Sequence, residues 1–265
     1  LMLAKARQAR GESAEAEKVL RELIDFFPDS PSLPLAQVEL CRVLDAQGKR
    51  PEAVRLARQA ALQHEDNPEV LKNAARFLEE AGDAAAAAER YAAAEKAGDE
   101  SVDNLLAAAR AFRAAGELPK ARETYERLVD SAPQSMEGRL ELATVLYEQG
   151  RVRQALESLE NLTVSGKGHP EIAKAYDLLA SLYSDLGLKE RSAAVAKQVA
   201  ARSTDPALLA RSAEHLFDAG AWEDGQVVAR RVDTGSLEPA TAYRFLMRHG
   251  EALLQTDADA GLAKM

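Results

Sequence analysis

The chain has 265 residues, 46 % of them hydrophobic and 29 % charged, so it can bury a core and is not expected to be disordered. Its 34 basic and 43 acidic residues leave a net charge of −9, which disfavours nonspecific binding to nucleic acid or to an anionic membrane. No stretch approaches the roughly 18 apolar residues of a membrane-spanning helix. Alanine, the strongest helix former, occurs 53 times, which favours an all-helical protein with close helix contacts.

Glycines recur along the chain at nearly constant intervals. They stand at positions 11, 48, 82, 116, 150, 187 and 220, and three consecutive intervals are 34 residues long. Seven residues before each glycine is a small residue: Ala4, Cys41, Ala75, Ala109, Ala143, Ala180 and Ala213. Five residues after each glycine the set is Ala16, Ala53, Ala87, Ala121, Ala155, Ser192 and Gly225. This pattern predicts pairs of helices that are joined by a tight turn at the glycine and packed closely through the small side chains.

The repeats can be placed in chain order from these positions. They cover approximately residues 1–30, 34–66, 68–99, 102–133, 136–168, 170–204 and 206–237, with a partial repeat at 239–265. Asn67-Pro68 and Asp205-Pro206 are typical helix starts, with a capping residue followed by proline. Three-residue insertions near 29–34, 166–170 and 234–239 lengthen the links between repeats. We expect one array in which each unit touches mainly its neighbours, and not two globular domains.

The segment from Leu105 to Pro133 shows the pattern most clearly. It supplies Ala109, Phe112, Gly116, Ala121, Tyr125 and Pro133. This arrangement resembles the tetratricopeptide repeat family, and the resemblance covers almost the whole chain. It implies an all-α fold, a right-handed superhelical solenoid of antiparallel helix pairs. It also implies a non-catalytic scaffold that holds a partner protein or peptide in a concave groove lined mostly by the first helix of each pair.

By analogy with the family, the groove receives side chains from positions about ten, six and three residues before each turn glycine. These positions are basic in the first half of the chain and acidic or hydroxylic in the second half. The candidate partner-binding residues are Arg42, Lys72, Arg76, Arg110, Arg113, Tyr147 and Phe217. We expect the five basic residues to bind acidic groups of the partner, since arginine makes forked contacts with carboxylates. Tyr147 and Phe217 would offer apolar or stacking contacts. Alternatively, these are ordinary solvated charges neutralised by Asp45 and Glu79.

The sequence offers no catalytic, cofactor or metal motif. The four histidines lack metal-ligand spacing, and one cysteine excludes a cysteine-based zinc site. Cys41 occupies a small-residue packing position, so we interpret it as a buried structural thiol. Ser165-Gly166-Lys167-Gly168 lacks the upstream glycine of a phosphate-binding loop and is interpreted as a link between repeats.

Two other functions stay open. The family resemblance is compatible with a periplasmic scaffold segment of a bacterial exopolysaccharide export or envelope assembly protein. A self-assembling structural module would instead use an apolar edge at Leu246, Leu253 and Leu254 for end-to-end contacts. We interpret the sequence as a piece of a longer bacterial chain, and both cytoplasm and periplasm are compatible with it.

Overall fold

The computed structural model describes residues 1–262, with side chains described as far as residue 256. Within residues 1–262 the chain forms fifteen α-helices, one short 3-10 helix and no strand. It divides into two compact units, residues 1–133 and the residues from Gln134 onward. The division falls between the predicted fourth and fifth repeats.

The first unit contains eight helices in four pairs. They are α1 (Met2–Ala9), α2 (Ser13–Phe26), α3 (Leu33–Ala46), α4 (Arg50–Gln63), α5 (Pro68–Glu80), α6 (Ala84–Lys96), α7 (Val102–Ala114) and α8 (Leu118–Ser131). Each helix packs against the next one along the chain, and α3 also contacts α5. The odd-numbered helices are therefore the first helices of the pairs, and the even-numbered helices are the second.

The second unit continues the same order. Its helices are α9 (Met136–Glu148), α10 (Val152–Ser165), α11 (Ile172–Asp185), α12 (Lys189–Arg202), α13 (Pro206–Asp218), α14 (Trp222–Ala229) and α15 (Pro239–Leu262), with a 3-10 turn at Thr234–Ser236. Consecutive helices again pack together, and α11 contacts both α9 and α13. The all-α fold of paired helices predicted from the glycine spacing is thus confirmed within the described residues.

The predicted turn glycines adopt the backbone that only glycine adopts easily. All seven have a positive φ, between +71° and +85°. At Gly48 the amide donates to the carbonyl of Asp45 at 2.8 Å, and the Lys49 amide donates to that of Leu44 at 2.9 Å. These bonds satisfy carbonyls that the end of α3 leaves without a partner in the helix.

The small side chains lock the pairs together as expected. The seven small residues that precede the glycines are all at most 1 % exposed, as are Ala16, Ala53, Ala87, Ala121 and Ala155 after them. Larger buried side chains fill the space beside these contacts, for example Leu78 and Tyr91 in the third pair. Alanine leaves room for close backbone approach, which explains its recurrence at these packing positions.

The two departures from alanine have separate physical reasons. Ser192 is 1 % exposed, and its hydroxyl donates to the carbonyl of Ala180 at 2.8 Å, so the buried oxygen is satisfied. A Cβ atom on Gly225 would lie 2.4 Å from a ring carbon of Phe217. Glycine stands at this position because the Phe217 ring occupies the volume that an alanine methyl fills in the other repeats.

Candidate functional site

A row of cations runs along equivalent positions of the first helices in the first unit. Arg42, Arg76 and Arg110 lie six residues before their turn glycines on α3, α5 and α7, at intervals of 34 residues. Lys5 holds the same position on α1. Equivalent positions place all four side chains on one face of the first helices, and we call these four residues the basic row. The sequence interpretation missed Lys5, although its distance from Gly11 would have identified it.

The members of the basic row differ in whether their charges already pair with carboxylates of the same chain. Arg42 donates to Glu39 at 2.9 Å, and Lys5 pairs with the same carboxylate at 3.2 Å. Glu39 is largely buried, so these two cations are tied to it. Arg110 is exposed and makes contacts within the chain. Arg76 is also exposed, but among the side chains of residues 1–256 it forms no ion pair.

The carboxylates expected to neutralise this face are directed to other groups. Asp45 accepts from Arg50 at 2.7 Å, and this hydrogen bond lowers the pKa of Asp45. Glu79 accepts from the hydroxyl of Tyr91 at 3.0 Å. Burial, and then the neighbouring charge of Glu79, raises the pKa of Tyr91, so the hydroxyl stays protonated and keeps donating. Within residues 1–256 neither acid forms an ion pair with Arg76, and the charge of Arg76 acts on the neighbouring Tyr91 hydroxyl by lowering its pKa.

The remaining predicted cations of this unit are less available. Lys72 on α5 binds Asp99 at 2.5 Å in the link before α7. The hydrogen bond from Lys72 is the main reason that the pKa of Asp99 is lowered. Arg113 is half-buried on α7 and makes contacts within the chain. The predicted cations thus lie on the first helices α3, α5 and α7, and among them Arg76 has the most available charge.

In the second unit, the corresponding polar side chains bind one another. Arg211 on α13 donates to both oxygens of Asp177 on α11, at distances from 2.8 to 3.1 Å. Burial lowers the pKa of Arg211, but its hydrogen bonds and charge interaction with Asp177 outweigh burial and raise it overall. The hydroxyl of Tyr147 donates to Asp185, and Arg244 binds Glu214. These contacts join successive first helices, α9 with α11, α11 with α13, and α13 with α15, and they occupy the acidic groove positions Asp177 and Glu214.

Phe217 does not lie where the sequence analysis placed it. Its side chain is 2 % exposed, and its ring stacks with those of Trp222 and His249, at centroid distances of 6.2 and 6.1 Å. A partner could not reach this ring without unpacking α13, α14 and α15. Position 225 carries glycine where most other repeats carry alanine. This was the sequence feature that could have indicated that the Phe217 ring faces inward.

Two clefts in the first unit lie away from the basic row. One, of about 440 Å³, opens among α2, α3 and α4, and the other, of about 510 Å³, among α6, α7 and α8. In the second cleft Lys120 lies 5.3 Å from the centre of the Phe112 ring, and Arg127 binds Glu95. Lys120 and Arg127 thus already have partners in the second cleft, whereas Arg55 lines the first cleft and is exposed.

The described residues give little support for a nucleophilic thiol, a metal site or a membrane-spanning helix. Burial raises the pKa of the Cys41 thiol to about 12, and the thiol donates to the carbonyl of Gln37 at 3.2 Å. Such a thiol stays protonated at neutral pH and is a poor nucleophile. Among the described residues, no group of three or more His, Cys, Asp or Glu side chains could hold a metal ion. Within the same range, no helix has both the length and the apolar composition needed to cross a membrane.

Comparison with family models places these helix pairs in a known group. Models described as "Tetratricopeptide repeat" match residues 1–30, 38–105, 78–136, 106–163 and 140–207. The chain belongs to the tetratricopeptide repeat family. Proteins of this family are typically non-catalytic scaffolds that bind other proteins or peptides, and this general role is the one that the repeats support here. Comparison with curated proteins finds no significant match.

Solved structures of other tetratricopeptide proteins share the fold. A tetratricopeptide repeat protein from Parabacteroides merdae is 17 % identical with a TM-score of 0.59, covering 94 % of this chain and 96 % of that one. The C-terminal part of a repeat protein from Cytophaga hutchinsonii is 13 % identical with a TM-score of 0.63, covering 92 % and 98 %. YrrB, described as a tetratricopeptide protein with an unusual peptide-binding site, is 15 % identical with a TM-score of 0.53, covering 72 % and 96 %. At these identities the likeness concerns the fold alone.

Proposed function

We propose that this tetratricopeptide protein is a non-catalytic scaffold whose first unit binds an acidic segment of a partner protein along the basic row. The observation that carries the proposal is the state of Arg76. Its guanidinium is exposed in the middle of the row and has no carboxylate partner within residues 1–256, where side chains are described, while Asp45 binds Arg50 and Glu79 binds Tyr91.

The chemistry of the row favours carboxylates as ligands. A guanidinium offers parallel N–H donors that match the two oxygens of a carboxylate, and such charged hydrogen bonds are stronger than neutral ones. On one side of Arg76, Lys5 and Arg42 share the carboxylate of Glu39 and so leave one positive charge, and on the other side lies Arg110. An extended peptide with several Glu or Asp residues would therefore meet a cation on each successive first helix.

The net charge of the whole chain does not oppose this proposal. The protein carries a net charge of −9, but screening in physiological salt confines charge effects to distances of about 8 Å. The local row of cations therefore decides what binds at this face. The same screening predicts that binding of an acidic peptide weakens as salt is added.

A direct test uses a fluorescent peptide of alternating glutamate and alanine and measures its anisotropy with the purified chain. We expect saturable binding that the Arg76→Glu/Arg110→Glu variant loses, and no binding of the peptide in which glutamine replaces glutamate. Arg55→Glu is the matched control because Arg55 is an exposed arginine of the same unit on the second helix α4. Unchanged affinity of the double variant with intact helicity would refute the proposal.

The narrower role in bacterial exopolysaccharide export is supported only by the sequence resemblance and stays a prediction. In that role the protein would use the basic row to bind a partner in the cell envelope. Fractionation of cells expressing the tagged protein tests it, with periplasmic recovery expected and cytoplasmic recovery contradicting it.

A further inference from the structure

Glu79 lies three residues after Arg76 on α5, a spacing at which an acid and an arginine are neighbours on the helix surface and can pair. The same order and spacing gives an ion pair on α15, where Arg248 binds Glu251 at 3.1 Å. Arg76 and Glu79 are both exposed, yet within residues 1–256 they form no ion pair. Another contact of Glu79 replaces the expected pair.

That contact comes from Tyr91 on α6, the second helix of the same pair. The Tyr91 hydroxyl donates to a carboxylate oxygen of Glu79 at 3.0 Å. Burial is the main reason that the pKa of Tyr91 is raised, the negative charge of Glu79 raises it further, and the positive charge of Arg76 opposes both. The three groups therefore share one electrostatic neighbourhood, in which the Glu79 carboxylate bonds to the hydroxyl and not to the guanidinium.

Tyr91 is held in place, whereas Glu79 is not. The Tyr91 side chain is only 3 % exposed, so the packed core around it restricts its ring. Its backbone carbonyl accepts a hydrogen bond at 3.1 Å from the side-chain amide of Asn104, which is fully buried on α7. Glu79 is exposed and has no such support. The fixed hydroxyl of Tyr91 therefore decides where the carboxylate of Glu79 lies.

The energetics favour this contact over an ion pair with Arg76. A hydrogen bond to an ionised carboxylate is stronger than one between neutral groups, and the buried Tyr91 ring loses no further freedom when it forms. An exposed ion pair on a helix is weak, because water and salt screen the charges and two long side chains must be ordered. Glu79 therefore remains with Tyr91.

We propose that Tyr91 is a positioning residue of the basic row: its hydroxyl holds the Glu79 carboxylate away from Arg76 and so keeps the Arg76 guanidinium available to a carboxylate of the partner. This inference rests on the proposed function of the row. Without the hydroxyl, Glu79 competes with the partner for Arg76. Arg76 would then resemble Arg248, which is bound to an acid of its own helix.

The size of the effect follows from the strength of the competing pair. An exposed pair at this spacing is weak, so in Tyr91→Phe it would be formed in roughly two-thirds of the molecules. The apparent affinity for a ligand falls in proportion to the fraction of molecules that can bind it. We therefore expect Tyr91→Phe to weaken binding of the glutamate–alanine peptide about two- to threefold at low salt.

The first experiment measures peptide anisotropy for a cycle of four chains: the native chain, Tyr91→Phe, Glu79→Gln and the double variant. Tyr91→Phe should weaken binding in the native background and have no effect in the Glu79→Gln background, where no carboxylate is released. A purely structural contribution of the hydroxyl would weaken binding in both backgrounds. The comparison within each background also removes the direct effect of the Glu79 charge on the peptide.

Two control variants match these changes. Tyr183→Phe removes a hydrogen bond of the same kind in the second unit, where the Tyr183 hydroxyl donates to Glu160 at 2.6 Å, and it should leave peptide affinity unchanged. Glu80→Gln removes the carboxylate four residues after Arg76, and the effect of Tyr91→Phe should persist in that background. Saturable binding by the native chain with equal affinity for Tyr91→Phe overturns the inference and leaves the proposed function standing. A loss that persists in the Glu79→Gln background also overturns the inference.

The second experiment needs no peptide. In a chain labelled with 15N-arginine, the Nε–H resonance of Arg76 is identified by its loss in Arg76→Lys, and its hydrogen exchange with water is measured. Exchange should slow in Tyr91→Phe, because Glu79 then binds the guanidinium, and should return to the native rate when Glu79→Gln is added. An exchange rate that Tyr91→Phe leaves unchanged overturns the inference. Failure of the native chain to bind the peptide would instead refute the proposed function, and this measurement would still decide the role of Tyr91.

Discussion

Substituting alanine for Gly225 tests how the seventh repeat is packed. A methyl group there would lie 2.4 and 2.5 Å from two ring carbons of Phe217. The ring cannot simply move aside, because Trp222 stacks on it at a centroid distance of 6.2 Å and His249 at 6.1 Å. The substitution therefore forces either the ring or the backbone of α14 to shift.

The expected change in the free energy of unfolding is the difference between two opposing effects of the added methyl group. Alanine favours the helix by about 1 kcal/mol over glycine. Overfilling a packed core costs typically 1–3 kcal/mol, and the confined ring of Phe217 places this case in the upper part of that range. We therefore expect Gly225→Ala to lower the free energy of unfolding by about 1–2 kcal/mol.

Urea denaturation followed by circular dichroism measures this change. Gly250→Ala is the matched control, because Gly250 is also in a helix but its new methyl would meet nothing within 4 Å. The free energy of unfolding of this control variant should rise by up to about 1 kcal/mol, because alanine favours the helix. In a Phe217→Leu background the penalty at Gly225 should shrink, since the clashing ring is gone. If Gly225→Ala alone is as stable as the native chain, the packing argument is wrong.

Three further predictions follow from the helix contacts and charges. Ala109→Leu should lower the free energy of unfolding in urea by about 1–3 kcal/mol by overfilling a tight helix contact, and a neutral result would contradict the assigned register. Arg76→Glu should weaken anisotropy-detected binding of the acidic peptide by about tenfold or more through loss of a charged hydrogen bond, and equal affinity would contradict its role. Burial opposes ionisation of Glu17, but hydrogen bonds from Lys49 and Arg21 outweigh it and lower the pKa to about 2 from 4.5. Because the folded-state pKa is lowered, the native chain should be more stable than Glu17→Gln at pH 7. That advantage should fade as the pH falls from 4.5 to about 2 in pH-dependent thermal unfolding, and a pH-independent difference would contradict it.

The periodic features of the fold were predictable because each depends on a local requirement. A turn with positive φ requires glycine, so the glycine spacing located the helix pairs. Close helix contacts require small side chains, so the alanines located the packed faces. The short α14 was not predictable in this way. After its end at Ala229, Arg231 donates to the carbonyls of Ala200 and Ser203 at the end of α12, a contact between segments about thirty residues apart.

The helix that carries each candidate residue was predictable from the sequence, but the contacts that each residue makes were not, and the binding site stays a prediction. The register correctly placed Arg42, Arg76 and Arg110 at equivalent points of the first helices. Which carboxylate each cation meets depends on side-chain geometry across helices. Lys72 on α5 binds Asp99, which lies 27 residues later in the link before α7. The spacing of residues within one helix does not predict a contact between side chains so far apart in the sequence.

The most direct test of the proposed function locates the acidic peptide on the protein. Amide chemical shifts of the labelled chain, recorded while the glutamate–alanine peptide is added, report which helices it contacts. We predict that the largest changes fall on α3, α5 and α7 around Arg76, with small changes on α4 and α6. Changes concentrated on the second helices, or none at saturating peptide, would contradict the claim that the basic row is the docking surface.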